Sequence, residues 1–207
     1  TLSPSSAASD VYKRQYQGFD KSTRATMWVE ISERGDTVVM KTTNDKGLDM
    51  TAWCRREDFG LLKLAKYQDE KEKTYALWQD NGYLVKMWGR GHWVSVPHPI
   101  MDRHTVALFL SGFPFSKGQE RVYSMLVEEL APAGKPVEVV VKCLGKEQVA
   151  TPAGTFDAWK LELKGRGLTQ LFLLWKRFYL WYDAKEKILV SYRDSDGRGF
   201  DLVSVEH

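Results

Sequence analysis

GKEQVATPAGTFDAWKLEL, residues Gly145 to Leu163, reads as the facing ends of two strands joined by a tight turn. The first arm begins upstream, at PVEVVVKCL, and the turn is TPAGT. Pro152 fixes φ near the value that the second position of a turn needs, and Gly154 is free to take the positive φ that follows. Both arms alternate. Val137, Val139, Val141 and Cys143 share one face, with Glu138 and Lys142 on the other. Trp159, Leu161 and Leu163 oppose Lys160 and Glu162. A period of two describes strands with one face against a core and the other largely in water.

The same residues carry a resemblance. Gly145, Glu147, Val149, the run Pro152-Ala153-Gly154-Thr155-Phe156, Ala158 and Lys160-Leu161 resemble the central hairpin of a family of bacterial envelope proteins of unknown function. That family is related in fold to the LolA/LolB-like lipoprotein-localisation carriers. Downstream, WYDAKEKILVSYRDSDGRGFDLVSVE is similar to its closing strands, and the resemblance spans about Thr105 to Glu206. It implies a half-barrel and a place in the periplasm or cell envelope. It supplies no catalytic residues.

The N-terminal segment, residues 1–15, has a different character. SSAASDVYKRQ, ending at Gln15, reverse-translates in one frame into the adapter and mosaic end used in transposase-based sequencing. It is therefore expected to be non-native, an environmental (metagenomic) reading frame beginning at or near Tyr16. Targeting and construction segments are set aside before fold reasoning. The remaining residues, 16–207, suit one domain with a substantial core.

The formal charge of the whole chain is +3. It falls to +2 without Asp10, Lys13 and Arg14. Near-neutral charge argues against a nucleic-acid partner. No apolar run reaches the length of a membrane-spanning helix. Cys54 and Cys143 permit one disulfide; on the apolar face of its strand, Cys143 reads more simply as a buried thiol.

Taken in order, ATMWVEIS, TVVMKTT, LDMTAWCR and LLKLAKY are strands parted by short turns, and QDEKEK is a solvated loop. The Arg34-Gly35-Asp36 tripeptide falls in one of those turns and reads as turn chemistry rather than an adhesion signal. TYALWQD and YLVKMWGR flank Asn81-Gly82, the strongest short signal for a two-residue type I′ turn. GHWVSVP continues as a strand until Pro97 and Pro99. The first hundred residues thus form an antiparallel meander of about six strands. DRHTVALFLS becomes apolar and helical, with Asp102 placed to cap it and Gly112 and Pro114 to end it. RVYSMLVEELAPAGKP has Val122, Leu126 and Leu130 at helical spacing, whereas the resemblance implies a strand turning at APAGK; a strand is the reading adopted. LTQLFLLWKRFYLWYD reads as a strand buried on both faces. ILVSYRD and FDLVSVE close the sheet.

Three clusters have residue types suited to chemistry. His92, His98 and His104 recur every six residues beside Asp102, but strand geometry holds the first two about 20 Å apart. No zinc motif is present, and no metal or other cofactor is expected. Asp194, Asp196 and Asp201 with Arg193 and Arg198 lack the calcium-loop pattern and read as a turn. Ser191, Ser195 and Ser204 have no nucleophile elbow around them. Catalytic residues are therefore expected to be absent.

The aromatic load is heavy, with 8 Trp, 9 Tyr and 9 Phe. The expectation is a mainly β protein: a curved antiparallel half-barrel sheet, LolA-like, of about ten strands with one or two short covering helices. It binds a lipid or other apolar small molecule on the concave face, lined by Trp88, Phe109, Trp159, Trp175 and Trp181. The alternative is an assembly factor that docks an envelope protein partner by its sheet edge and holds no small ligand.

Overall fold

The computed structural model describes residues 11–20, 23–87, 89–96, 99–167 and 177–206. Among these residues the chain forms fifteen strands. The first eight are β1 (Val11–Asp20), β2 (Thr23–Arg34), β3 (Thr37–Asn44), β4 (Leu48–Arg55), β5 (Leu61–Gln68), β6 (Lys71–Gln79), β7 (Gly82–Met87) and β8 (Arg90–Ser95). A short strand, β9 (Met101–Asp102), leads into a single helical turn, α1 (Val106–Phe109), extended by a 3-10 turn over Leu110–Gly112. After β10 (Glu120–Leu126) comes a second 3-10 segment, Glu128–Ala133. The remaining strands are β11 (Val137–Thr151), β12 (Gly154–Gly165), β13 (Phe178–Asp183), β14 (Leu189–Asp194) and β15 (Gly199–Glu206).

All fifteen strands belong to one sheet, ordered β8-β7-β6-β5-β4-β3-β2-β1-β15-β14-β13-β12-β11-β10-β9. Two meanders therefore meet where β1 pairs with β15. Every pairing is antiparallel except the short one between β9 and β10. The sheet curls on itself. The 3-10 segment that follows β10 packs against β7 and β8 at the other end of the sheet, and Leu61 N–H donates to Ile100 O at 3.2 Å. The two outer edges are thus bridged by a helical segment and not by a strand ladder, which leaves an open, mixed, barrel-like sheet.

Period-two patterning accounts for the core. In β4, Met50, Ala52 and Cys54 are buried while Thr51, Trp53 and Arg55 point outward. In β11, Val137, Val139, Val141 and Cys143 are all buried. One apolar cluster fills the first meander, from Ile31 to Val96, and reaches Leu108 and Leu126. A second joins α1 to β11–β14. A third, around Tyr16, Ala158, Val190 and Leu202, lies at the seam between the meanders. Cys54 and Cys143 are both free and buried, in different clusters. Burial, followed by the charges of Asp102 and Asp58, pushes the Cys54 thiol up to about 12, where it is chemically inert.

The strand count corrects the expected ten, and the causes are local. QDEKEK is not a loop: Gln68 pairs with Lys71, and only Asp69 and Glu70 form the turn, at φ 51° and 64°. Charged residues on an outward strand end look like a loop in sequence because both are solvated. The β6–β7 turn is Asp80-Asn81, at φ 40° and 76°, not Asn81-Gly82. Gly82 instead opens β7, because a Cβ there would stand 2.5 Å from the Trp93 ring. The stretch from Arg121 to Pro136 is neither one strand nor one helix. It splits at Val127 into β10 and the 3-10 segment, which Gly134 closes at φ 68°. Asp102 does not cap α1; Thr105 holds that position. Of the hydrophobic run from Leu168 to Asp183, only β13 and the Arg177 before it are described, and the rest lies outside the described residues.

The hairpin Val137–Gly165 forms as its sequence indicates, with Thr151 facing Gly154 across the turn. Residues 11–15, within the segment that reads as adapter, form the start of β1.

Candidate functional site

The curl of the sheet leaves space beneath α1. Inward-pointing residues of β2, β3 and β4, among them Met27, Val29, Ile31, Met40 and Met50, form one wall of a cavity of about 530 Å³. Leu163, Phe178, Leu180, Leu189 and Phe200 from β12–β15 form the other wall. Val106, Ala107 and Leu108 of α1 make the roof. Ligand pockets commonly measure about 300–1,000 Å³ and are mostly apolar, and this cavity matches on both counts. Methionine is unbranched and polarisable, so a wall rich in it accommodates varied apolar shapes.

The roof is fastened. Tyr182 Oη donates to the Ala107 carbonyl at 3.0 Å. Phe109 stands edge-on to Tyr123, with ring centroids 5.3 Å apart. On the floor, Tyr16 Oη donates to Leu189 O at 3.0 Å and locks β1 against β14.

A polar cluster borders the apolar space. Arg103 and His104, just before α1, line the cavity. Glu128, only 3 % exposed, lies behind them. Its Oε1 is 2.9 Å from His104 Nε2 and 3.3 Å from Lys66 Nζ of β5. Arg103 Nε approaches Glu128 Oε2 at 3.4 Å, and Arg103 Nη1 pairs with Glu129 at 2.7 Å. Burial alone raises the Glu128 carboxyl. The hydrogen bond and charge of His104, with the charge of Arg103, outweigh that and hold it at about 2. The cluster ties α1 and the 3-10 segment to the wall of the first meander. Asp102, fully buried, accepts the His104 backbone N–H on Oδ1 at 2.7 Å, while Oδ2 has no hydrogen-bond partner. Burial raises its carboxyl, and the Glu128 charge adds to this against the pull of His104 and Arg103. Arg14 also reaches the cavity. It lies in the adapter-like segment, and no binding role is assigned to it.

The aromatic residues named from sequence are dispersed. Phe109 lies in α1, 7 % exposed, and packs into the second core cluster beside the roof. Trp159 points inward on β12 but sits at the far end, with its ring 6.2 Å from Phe115 and under Lys146 Nζ at 4.6 Å. Trp181 lies on the outer face between the buried Leu180 and Tyr182. Its Nε1 donates to Glu147 at 2.6 Å, and Lys160 Nζ stands 4.9 Å over the ring. None of these three is part of the cavity lining. Trp88 and Trp175 lie outside the described residues. The signal that marks the lining is the methionines at inward parity: Met27, Met40 and Met50 sit on the same face as Val29 and Thr42.

The other clusters resolve into structure. Arg193 grips both oxygens of Asp201 at 2.8 Å, and Ser191 Oγ donates to the same carboxylate at 2.8 Å. Asp194 Oδ1 accepts the backbone N–H groups of Asp196 and Arg198, each at 2.9 Å, and so shapes the β14–β15 turn. His104 belongs to the Glu128 cluster, and His92 lies on β8. His98 is outside the described residues. Among those residues, no three His, Cys, Asp or Glu side chains form a metal-binding group, and no helix is long and apolar enough to cross a membrane.

No known family profile matches the chain. No curated protein matches it either. Solved structures do. A candidate lipoprotein from Parabacteroides distasonis is 12 % identical over 95 % of each chain, with a TM-score of 0.38. A candidate exported protein with a YmcC-like fold from Bacteroides fragilis is 12 % identical over 95 % of each chain, at 0.36. The chain is more similar to a β-barrel-like protein of the domain of unknown function DUF1849 from Brucella abortus. There the identity is 12 % over 96 % of this chain and 97 % of that one, with a TM-score of 0.58. At that identity the likeness is one of fold: this chain shares that β-barrel-like architecture.

Proposed function

We propose that the protein is a non-catalytic binder of a lipid or other apolar ligand, which it holds in the cavity between the curled sheet and α1. The observation that carries this reading is the cavity itself: about 530 Å³, walled by aliphatic and methionine side chains from both meanders. Ten buried methylenes would contribute roughly 8 kcal/mol before ordering costs. Arg103 and His104 at the roof are engaged with Glu128, which Lys66 also meets, an arrangement that fixes the roof in place, while Arg14 is a further cation in the lining. A LolA-like half-barrel role in the periplasm or cell envelope rests on the resemblance of the Gly145–Leu163 hairpin.

Native mass spectrometry of the chain, purified from a bacterial periplasm, tests the reading. A co-purifying lipid mass that disappears on solvent extraction is the expected result. A bare polypeptide mass, still bare after incubation with mixed lipids, would overturn it and favour docking of a protein partner by the sheet edge.

A further inference from the structure

The outer face of β3–β8 carries a pattern that the cavity does not explain. Cross-strand register aligns Val39, Trp53, Lys63, Leu77, Leu84 and Trp93 in one continuous row. The adjacent row runs from Lys41 to Gly91 through Thr51, Ala65, Tyr75 and Lys86. These rows take the outward parity, because the row between them in sequence, Met40, Ala52, Leu64, Ala76 and Val85, is core, although the small Val39 and Ala65 of the outward rows are themselves buried. Five interstrand steps make the strip about 24 Å long. It holds two tryptophans, a tyrosine, two leucines and three lysines; within β3–β8 neither row contains a carboxylate, and the first one met beyond Lys41 is its cross-strand partner Glu30 on β2.

The rings and the cations are organised together. Lys63 Nζ stands 4.6 Å from the Trp53 ring and 5.6 Å from the Tyr75 ring. Trp93 lies across Gly82 and remains 46 % exposed, the most exposed large apolar side chain among the described residues. An amphipathic ring with a lysine beside it suits the headgroup level of a bilayer, where the ring meets the acyl boundary and the ammonium meets phosphate. Lysines near such a surface are drawn to anionic lipid.

We propose that this strip seats the protein on a bilayer surface containing anionic lipid. A single-stranded nucleic acid would stack successive bases on a series of open rings; here Lys63 Nζ stands over one face each of Trp53 and Tyr75, which leaves Trp93 as the exposed ring of the strip. The inference stands apart from the ligand reading, since it concerns the opposite face of the sheet.

Co-sedimentation of the full chain with vesicles tests it, using phosphatidylcholine alone or mixed with phosphatidylglycerol. The expected result is binding to the mixed vesicles only, weakening as salt rises. Replacing both Lys63→Gln and Lys86→Gln is expected to weaken binding at least about tenfold, and Trp93→Gln to weaken it as well. Lys142→Gln with Lys164→Gln, a matched pair of charges on β11 and β12, should leave it unchanged. Circular dichroism of each variant confirms that the fold persists. Equal binding to both vesicle types, no binding, or full binding by the Lys63/Lys86 variant would overturn the proposal. So would preferential binding of a single-stranded oligonucleotide, or self-association of the chain that the Trp93 variant abolishes.

Discussion

Asp102 and Glu128 sit in one polar cluster, yet their carboxyls move in opposite directions, and the difference gives a test. Glu128 is held at about 2 against an ordinary 4.5. Between those values the unfolded chain binds the proton that the native state refuses, so acidification removes the stability this carboxylate supplies. Glu128→Gln leaves Lys66 and Arg103 facing an uncharged partner and is expected to lower stability by about 3 kcal/mol at neutral pH. In urea titrations, the gap between wild type and variant should be complete above the unfolded value and close as pH falls toward 2. Asp102 has the reverse sign. Its native carboxyl is raised above 3.8, so its contribution is whole below that value and lost as pH rises through the native one. Asp102→Asn, which keeps an oxygen for the His104 N–H, should match or exceed wild-type stability at neutral pH and lose the advantage in acid. Neither role was legible in the sequence, because Asp102, His104, Glu128 and Lys66 converge only when α1 and the 3-10 segment fold over β5. Cys143 was legible, since parity along β11 alone places it in the core. The cavity lining was not: tryptophan drew attention through its size, whereas parity puts Trp181 outside and places methionines on the wall.

At the scale of elements, turns decide how many strands the chain makes. Asp69 and Glu70 both adopt positive φ between paired Gln68 and Lys71, the geometry of a type I′ turn that asparagine and glycine suit better. A left-handed conformation costs an ordinary residue about 1–2 kcal/mol. Glu70→Gly should therefore stabilise the protein by roughly 1 kcal/mol, less the entropy glycine adds to the unfolded chain, read as a higher urea midpoint with unchanged slope. The two arms of the Val137–Gly165 hairpin and its turn at Pro152 were legible. The glycine that opens its motif has a reason visible only in three dimensions. Gly145 takes φ 128° at a bulge after Cys143, where Leu144 is the extra residue. The Asp80-Asn81 turn shows the limit of local signals. Asn-Gly is a strong turn pair, but here the register is shifted by one because the Trp93 ring on the neighbouring strand needs the space a Gly82 side chain would fill.

The described residues form a single sheet whose two meanders wall the cavity beneath α1, so filling that cavity should separate ligand capacity from fold. Val29→Trp projects bulk from β2 into the space between the walls. It is expected to abolish any co-purifying lipid in native mass spectra while leaving cooperative unfolding in place. The mainly β class and the covering helix were legible from period-two patterning and the apolar run at Val106–Leu110. The closure was not, since it depends on a 3-10 segment reaching the far edge of the sheet. The seam has a further consequence, for the order of synthesis. Tyr16–Phe19 in β1 pairs with Gly199–Leu202 in β15, across nearly the whole length of the chain. As the polypeptide emerges into the compartment where it folds, β1 to β8 can zip one after another, but one flank of β1 stays bare until β15 follows. That contact closes the longest loop in the molecule and belongs among the slow steps of folding. Until it forms, the nascent first meander exposes an unpaired strand beside an unfilled apolar wall, the kind of surface that holding chaperones shield from aggregation.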